Sequence, residues 1–263
     1  MQFGESSAIV TGGASGLGFS TAQRLVRRGV RVVVVDLPDA QGTTTRADAV
    51  ASLGEDTVFV PGDVRDPDVA ATAVERAATA ERGRKRRPLR VLVNCAGVAD
   101  PGKLLSKRGP LSYEAFMHVL SINAGGTVNF MTHAAEAMAG EELDGEDRGV
   151  IVNTASVAAY DGQIGQIAYS ASKGGVASLT LPAARELAAS QIRVMTIAPG
   201  VFETPMVAGL PDAARESLSS KTPHPARLGQ PADYSLLVEQ IIENPMLNGE
   251  VIRLDGAVRL EPR

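Results

Sequence analysis

The chain has 263 residues, of which 44% are apolar and 4% aromatic, with no tryptophan and a formal net charge of −4 at pH 7. That charge gives no general attraction to nucleic acid or anionic lipid, and the sequence contains no run of about 18 apolar residues that would span a membrane. The single Cys95 excludes an internal disulfide, which fits a reducing, cytoplasmic setting, and the three histidines lack metal-ligand spacing. We therefore expect one domain over residues 1–263, without a metal site.

Apolar strand-like runs alternate with helical patterns along the whole chain. Seven strands are predicted, at Ser7–Val10, Arg31–Val35, Thr57–Val60, Arg90–Val93, Val150–Val152, Arg193–Ile197 and Glu250–Leu254. Helices are predicted at Leu17–Arg28, Ala40–Leu53, Asp68–Arg82, Tyr113–Met138, Ala168–Ala189 and Ala232–Glu243. This alternation predicts an α/β fold, a Rossmann-type doubly wound parallel sheet of seven strands with helices on both faces. We expect irregular structure at 99–110, 140–149 and 200–229, and the last of these should be a substrate loop.

A glycine-rich segment, Thr11-Gly-Gly-Ala-Ser-Gly-Leu-Gly18, joins the first predicted strand to the first helix. Its glycines let the backbone turn tightly and approach a pyrophosphate, which the N-terminus of the helix then stabilises. It lacks the Lys-Ser/Thr ending of an ATP-type P-loop. Taken alone, it is also compatible with an ordinary turn. Its position predicts a phosphate-binding loop formed by Gly12, Ser15, Gly16, Leu17 and Gly18.

Acidic residues follow the second and third predicted strands. Asp36 lies 18 residues beyond Gly18, near the spacing at which an acid binds the ribose 2′-hydroxyl of NAD. A carboxylate there would repel a 2′-phosphate, and neither Ser15 nor Leu37 supplies a cation, so we expect NAD rather than NADP; the alternative role is to cap the next helix. Asp63 can accept a hydrogen bond from an adenine amino group, or it can serve as a helix N-cap.

Three polar side chains suit one proton transfer. Tyr169 and Lys173 stand at i and i+4, so on a helix they share one face, about 5–6 Å apart at Cβ. An ammonium beside a phenol favours the phenolate and is expected to lower the pKa of Tyr169. Ser156 follows the apolar run that begins at Val150, where a strand would place it beside the helix. The trio suits removing a proton from an alcohol while its carbon loses hydride, although a Tyr–Lys pair alone is more often a surface feature.

Together these segments resemble the short-chain dehydrogenase/reductase family, in the family's order and over nearly the full length. The matching segments are Thr11–Gly18, Gly62-Asp-Val, Asn94-Cys-Ala-Gly, Ser121-Ile-Asn, Ser156, Tyr169-Ser-Ala-Ser-Lys and Pro199-Gly. Cys95 is a departure, since the family usually has Asn there. Longer runs are similar to the type-2 3-hydroxyacyl-CoA dehydrogenases, the branch also called 17β-hydroxysteroid dehydrogenase type 10. These runs are Asn153–Ala159, Ala168–Gly175, Arg193–Gly200 and Ile241–Ala257.

The resemblance implies a role for each candidate catalytic residue. Tyr169 would be the general base in alcohol oxidation and the acid in ketone reduction, and Ser156 would donate a hydrogen bond to the reacting oxygen. Lys173 would lower the pKa of Tyr169 and bind the nicotinamide ribose. Asn123 would hold the water of a proton relay that leads from Lys173. Gln163 resembles a substrate-contacting residue, so the substrate contacts would be Ser156, Gln163 and Tyr169, although a loop Gln that meets only solvent is an equal alternative.

The resemblance also implies the rest of the cofactor site and a homotetrameric assembly. The further cofactor contacts would be Val64, Asn94, Ala96, Gly97, Pro199, Gly200, Val201 and Thr204. The implied activity is NAD-dependent, reversible oxidation of a 3-hydroxyacyl-CoA to the 3-ketoacyl-CoA. A hydroxysteroid or other secondary-alcohol dehydrogenase is the alternative.

Other segments leave two interpretations open. The apolar loop residues Val201, Phe202, Met206, Val207 and Leu210 suit an acyl chain or a steroid, or they simply pack the loop down. Lys103, Lys107 and Arg108 can meet the phosphates of CoA or stay solvated. The basic run Arg82–Arg90 raises a non-catalytic, RNA-binding role as a weaker alternative. That run lacks interleaved aromatic residues for base stacking, so no nucleic-acid partner is expected.

Overall fold

Nine strands are present in the computed structural model, which describes residues 3–40, 45–79, 86–208 and 221–262. They are β1 (Ser7–Thr11), β2 (Arg31–Asp36), β3 (Thr57–Pro61), β4 (Leu89–Asn94), β5 (Leu105–Ser106), β6 (Gly109–Pro110), β7 (Gly149–Thr154), β8 (Ile192–Pro199) and β9 (Val251–Leu254). Seven of them form one parallel sheet in the order β3-β2-β1-β4-β7-β8-β9. The predicted α/β fold is therefore confirmed. The short β5–β6 hairpin, in a segment predicted to be irregular, was not predicted.

Helices cover both faces of the sheet. They are α1 (Gly16–Arg27), α2 (Thr45–Ala51), α3 (Pro67–Ala78), α4 (Tyr113–Leu120), α5 (Gly126–Ala139), α6 (Ile167–Leu187), α7 (Pro205–Ala208) and α8 (Pro231–Glu243). Short 3₁₀ turns occupy Phe3–Glu5, Val157–Ala159 and Ala188–Ser190. Parts of the second and third predicted helices, residues 41–44 and 80–82, lie outside the described residues. Within the described ranges, no helix is long and apolar enough to cross a membrane.

The predicted single helix over Tyr113–Met138 is wrong, because a π-helical turn at Ser121–Gly125 separates α4 from α5. The cause is visible in the packing on either side of this turn. A Cβ on Gly126 would lie 2.5 Å from the Val64 side chain, so α5 approaches the β3–α3 connection at a glycine. The Asn123 side chain is fully buried and bonds to Val98 and Ser172, as described below. Such π turns are frequent at functional sites.

Strand residues alternate between two apolar layers, as the period of a strand requires. Val10, Val34 and Val93 pack beneath α1 and α8, where Tyr234 and Ile241 are fully buried. On the other face, residues such as Ile9, Val33 and Ile151 pack beneath α3, α5 and α6. With both faces covered, the strands read as continuous Val- and Ile-rich runs, which explains why they were easily predicted.

A buried arginine stabilises the sheet at the amino ends of strands β7 and β8. Arg193 of β8 forms an ion pair with Asp147 at 2.9 Å, and both side chains are less than a tenth exposed. Its remaining donors reach the carbonyls of Ile241, Ile242 and Leu247 at 2.8–3.1 Å. These contacts join β8 to the C-terminal end of α8 and leave the carboxyl ends of the strands free to form a site.

Candidate active site

A cavity of about 740 Å³ lies at the carboxyl ends of the central strands. Its wall contains most of the candidate residues, namely Gly12, Ser15, Gly16, Leu17, Gly18, Asp36, Asp63, Val64, Ala96, Gly97, Ser156, Gln163, Tyr169, Lys173, Pro199, Gly200, Val201 and Thr204. Two candidates, Asn94 and Asn123, are almost fully buried and do not line the cavity. The location is the switch point between β1 and β4, where doubly wound sheets bind their ligands.

The glycine loop is shaped by close backbone contacts. Gly12 has φ of +63°, and a Cβ there would lie 2.8 Å from the backbone of Ala96. At Gly18 a Cβ would lie 2.2 Å from the carbonyl oxygen of Gly12. The exposed Ser15 precedes α1 and its hydroxyl makes no capping hydrogen bond. The loop and the N-terminus of α1 therefore form a backbone cradle at the cavity wall, which fits the pyrophosphate of a dinucleotide.

Asp36 ends β2 and turns its carboxylate toward this loop. Its Oδ2 accepts a hydrogen bond from the Ala14 amide at 3.1 Å, and its Oδ1 accepts one from the Leu37 amide at 2.9 Å. The capping role belongs instead to Asp39, which accepts from the amides of Arg46 and Ala47 at the start of α2. Asp36 thus lies at the cavity wall, and its ribose-binding role stays a prediction.

Asp63 is not a helix N-cap, because Asp66 fills that position of α3 by accepting from the Asp68 amide. Asp63 instead pairs with the Arg65 side chain at 2.5 Å. This hydrogen bond holds the pKa of the Asp63 carboxyl below its usual value, with burial opposing. The prediction that Asp63 binds adenine stays a prediction, and Arg65 beside it also lines the cavity.

The three predicted catalytic side chains converge at the other end of the cavity. Strand β7 leads to Ser156, whose Oγ accepts from the Ala158 amide at 3.1 Å, and α6 begins two residues before Tyr169. Lys173, one turn further along α6, is only 5% exposed. Its Nζ lies 5.9 Å from the centre of the Tyr169 ring and donates to the Thr154 carbonyl at 2.7 Å.

The structure does not show the expected lowering of the Tyr169 pKa by Lys173. Burial raises the pKa of the Tyr169 phenol, and a hydrogen bond with Ser156 opposes that rise. The hydrogen bond of the Lys173 ammonium goes to the Thr154 carbonyl. Burial also lowers the pKa of Lys173 to about 8, with Cys95 opposing, so this ammonium titrates near neutral pH.

A hydrogen-bonded group that the sequence did not indicate supports Lys173 from behind. The Thr154 hydroxyl lies 2.5 Å from the Asn94 carbonyl and 2.7 Å from the fully buried Tyr234 hydroxyl. Because a hydroxyl donates only once, Thr154 donates to Asn94 and accepts from Tyr234. Cys95, where the family usually has Asn, contacts the Tyr234 hydroxyl at 3.6 Å. The Asn94 side chain in turn donates to Asn153 at 3.0 Å, so strands β4 and β7 are tied together behind the site.

Asn123 lies in the π-helical turn and positions the backbone beside Gly97. Its Nδ2 donates to the Val98 carbonyl and to Ser172 Oγ, and its Oδ1 accepts from the Val98 amide, each at 2.9 Å. A Cβ on Gly97 would lie 3.0 Å from Asn123 Oδ1 and 3.5 Å from Lys173 Nζ. The amide oxygen and the ammonium therefore border the same small space. The predicted proton relay stays a prediction.

The C-terminal segment contributes to the cavity wall beside Gln163. Gln163 Nε2 donates to the Glu261 carbonyl at 2.9 Å, and the Ile164 amide donates to the Pro262 carbonyl at 3.0 Å. Leu260, the residue before Glu261, lines the cavity. Gln163 therefore does more than meet solvent, since it lines the cavity and holds the C-terminal segment in place.

The substrate loop is described only in part, since residues 209–220, including Leu210, lie outside the described residues. Val201, Phe202 and Val207 line the cavity. The Phe202 ring also packs onto Gly229, where a Cβ would lie 2.7 Å from the ring atoms. Phe202 thus both packs the loop down and contributes to an apolar wall.

The described arginines of the basic run contact other parts of the protein. Residues 82–85 lie outside the described residues. Arg86 pairs with Glu141, and Arg87 lies 3.7 Å from Asp56. Arg90 is buried and donates to the Arg148 carbonyl at 2.8 Å.

Several residues in and around the site were not predicted from the sequence. Asn129 donates to the carbonyls of Val64 and Asp66, which fixes the connection that carries Asp63. Arg46 and Leu260 line the cavity from opposite ends. Nothing in the local sequence pattern could have indicated Arg46, Leu260 or Tyr234. In the part of the chain that the structure describes, no three His, Cys, Asp or Glu side chains come together in the manner of a metal site.

Comparison with known proteins agrees with this geometry. The profile of the family described as short chain dehydrogenase matches residues 6–215. Two relatives, both named 3-hydroxyacyl-CoA dehydrogenase type-2 and found in Bos taurus and Homo sapiens, are each 50% identical over 258 residues, covering 97% of this chain and 95% of the relative. The crystal structure of 3-hydroxyacyl-CoA dehydrogenase type-2 from Mycobacterium avium matches with a TM-score of 0.90 and 36% identity, over 100% of this chain and 99% of that one.

Proposed function

Because this chain belongs to the short-chain dehydrogenase family and is an oxidoreductase, we propose that it catalyses the NAD-dependent, reversible oxidation of a 3-hydroxyacyl-CoA to the 3-ketoacyl-CoA. The observation that carries this proposal is a single cavity that joins the glycine loop to Ser156, Tyr169 and Lys173. A hydride donor and an alcohol carbon can therefore meet within reach of one phenol. The names of the relatives suggest the thioester substrate.

The residues at the nucleotide end fit NAD. The backbone cradle at Gly12–Gly18 would hold the pyrophosphate, Asp36 would accept from the adenosine ribose hydroxyls, and Lys173 would donate to the nicotinamide ribose. The segment Pro199–Thr204 would seat the carboxamide. When bound, the nicotinamide supplies the hydride acceptor or donor.

Tyr169 and Ser156 would handle the proton of the reacting hydroxyl. The raised pKa of Tyr169 keeps the phenol protonated at neutral pH, which suits it as the acid in ketone reduction. Ser156 would donate a hydrogen bond to the same substrate oxygen, where charge develops. With a pKa of about 8, Lys173 can release and regain a proton near neutral pH, and so can resupply Tyr169 through the space that it shares with Asn123.

The β5–β6 hairpin supports a CoA thioester rather than a small free alcohol. The hairpin docks at the cavity rim, since the Gly102 amide donates to the Gly165 carbonyl at 2.8 Å and the neighbouring Gln166 lines the cavity. Lys103, Lys107 and Arg108 are exposed on the hairpin and its approach. Three cations at this entrance would attract the phosphates of CoA, while the apolar wall takes the acyl chain.

The primary test is NADH consumption with acetoacetyl-CoA, with NADPH in parallel. We expect rapid turnover with NADH and a loss of at least about 10³-fold in kcat for Tyr169→Phe. NADH binding, followed by fluorescence, should survive in this variant. The matched control is Tyr160→Phe, an exposed tyrosine nine residues away that does not line the cavity, which should keep full activity. Absence of turnover with acetoacetyl-CoA under all conditions would refute the thioester assignment.

A second test addresses the CoA contact. Changing Lys103, Lys107 and Arg108 together to Ala should raise KM for acetoacetyl-CoA, with little effect on an acetoacetyl thioester of N-acetylcysteamine, which lacks the phosphates. Equal effects on both substrates would exclude the phosphate contact. Turnover of a hydroxysteroid or another secondary alcohol without thioester activity would favour the second candidate, which uses the same proton chemistry and the apolar cavity wall.

The assembly and setting follow from the same family. We propose a homotetramer of single-domain subunits, for which exposed apolar side chains such as Val128, Leu181 and Leu236 offer interface positions. Light scattering would test this. The lone Cys95 suits the reducing cytoplasm. A role in RNA binding gains little support, because each described cation of the basic run has a protein partner.

A further inference from the structure

The nucleotide end of the cavity contains a cation that the local sequence around Asp36 does not supply. Arg46, at the start of α2, places its Nε 3.3 Å from Asp36 Oδ1. Its amide donates to Asp39 at 2.7 Å, and its Nη1 donates to the Pro38 carbonyl at 3.3 Å. These contacts hold α2 so that a guanidinium stands beside the carboxylate expected to select the cofactor.

The position of Arg46 lets it do more than pair with Asp36. The Asp36 side chain is 15% exposed and is held by two backbone amides, whereas the Arg46 side chain is 40% exposed and lines the cavity. A guanidinium has five N–H donors, and the contacts described above engage only two of its nitrogens. Arg46 therefore has donors to offer to an anion placed at the Asp36 end of the cavity.

The two charges have opposite effects on a phosphate attached to the adenosine ribose. The carboxylate repels it, while a guanidinium attracts it and can bind it with two parallel hydrogen bonds. At 3.3 Å from the carboxylate, the guanidinium also offsets part of the repulsion. The expectation of NAD from the sequence takes only Ser15 and Leu37 as neighbours of Asp36. It therefore leaves the repulsion between the Asp36 carboxylate and a 2′-phosphate unopposed.

We propose that Arg46 is a specificity-determining residue that sets how strictly NADPH is rejected. This inference rests on the proposed nicotinamide dinucleotide site. In it, the Asp36 carboxylate repels the 2′-phosphate and so discriminates against NADPH, and the Arg46 guanidinium weakens that repulsion. With Arg46 present, the enzyme tolerates a 2′-phosphate better than Asp36 alone would permit. With Asp36 neutralised, Arg46 becomes the phosphate-binding group.

The test is a binding cycle that does not depend on turnover. Dissociation constants for NADH and NADPH are measured by nucleotide fluorescence for the wild type, Asp36→Asn, Arg46→Ala and the double variant. We expect Arg46→Ala to weaken NADPH binding about tenfold and to change NADH binding by less than about threefold. Asp36→Asn should tighten NADPH binding about tenfold, and the double variant should lose that gain. The difference in NADPH affinity between proteins with and without Arg46 should shrink as the salt concentration is raised, because Asp36 and Arg46 are both near solvent.

Arg76→Ala is the matched control, since Arg76 is an exposed arginine on α3 that does not line the cavity. It should leave both dissociation constants unchanged. Equal NADPH affinity for Asp36→Asn and the double variant would overturn the inference, as would an equal loss of NADH and NADPH binding in Arg46→Ala. If the wild type bound neither nucleotide, the proposed function itself would fail, which is a distinguishable result.

Discussion

Replacing Lys173 by methionine should raise the free energy of unfolding while abolishing activity. Methionine keeps the long unbranched stem that packs in α6 and removes only the ammonium. In the folded chain, burial lowers the pKa of Lys173 from 10.5 to about 8. At about 1.4 kcal/mol per pKa unit, holding this charge in the folded state costs about 3 kcal/mol at neutral pH. The variant is inactive, and it is free of the energetic cost of burying the ammonium.

The pH dependence identifies the origin of the effect. Below pH 8 the ammonium is protonated in both the folded and the unfolded chain, so the full cost is present. Between pH 8 and 10.5 the unfolded chain binds more protons, so the stability of the wild type rises with pH. Losing the hydrogen bond to the Thr154 carbonyl offsets the gain by about 1–2 kcal/mol. We therefore expect Lys173→Met to be about 1–2 kcal/mol more stable at pH 7, and the difference to fall by about 2 kcal/mol by pH 9.5.

Urea unfolding at one protein concentration, without nucleotide, measures this difference. Tyr169 and Tyr234 do not interfere, since burial raises their pKa values above 10.0 and their contribution cancels between the two proteins. Lys103→Met, at an exposed lysine, is the control and should show almost no difference at either pH. A variant less stable than the wild type at pH 7, or a difference independent of pH, would refute the reasoning.

Three further outcomes are expected. Asp147→Ala leaves the buried Arg193 without its partner and should lower the free energy of unfolding in urea by about 3 kcal/mol, whereas Glu243→Ala, in an exposed pair, should cost less than about 1 kcal/mol. Similar losses would contradict this. Leu260→Ala widens the apolar wall and should shift kcat/KM toward longer 3-ketoacyl-CoA chains; an unchanged chain-length profile would exclude Leu260 from the acyl site. Since burial raises the pKa of Tyr169, the rate of alcohol oxidation, which needs the phenolate, should climb from pH 7 to 10, whereas the rate of ketone reduction, which needs the protonated phenol, should change little over that range. A flat oxidation profile would argue against Tyr169 as the base.

The parts of this protein that were predictable depend on neighbours in the sequence. Strand β2 is five consecutive buried residues and then Asp36, and such a run has few alternatives to a central parallel strand. The glycines at 12 and 18 stand where a side chain would strike the backbone, so their spacing alone indicates a tight strand-to-helix turn. Helical periodicity likewise places Tyr169 and Lys173 on one face.

What the sequence could not supply depends on contacts between distant segments. The π-helical turn at Asn123 follows from the packing of Gly126 on Val64 and from the amide bonds to Val98. The pKa values of Tyr169 and Lys173 depend on burial, which only the packed cavity determines.

Local spacing and side-chain chemistry were enough to predict the sheet, the glycine loop and the candidate residues Ser156, Tyr169 and Lys173. The groups that surround these elements became visible only in the folded chain. Folding placed Arg46 beside Asp36, Tyr234 behind Thr154 and Leu260 against the substrate end. Electrostatic and packing energies depend on distance in space, so these contacts follow from how the chain folds and not from the order of residues along it.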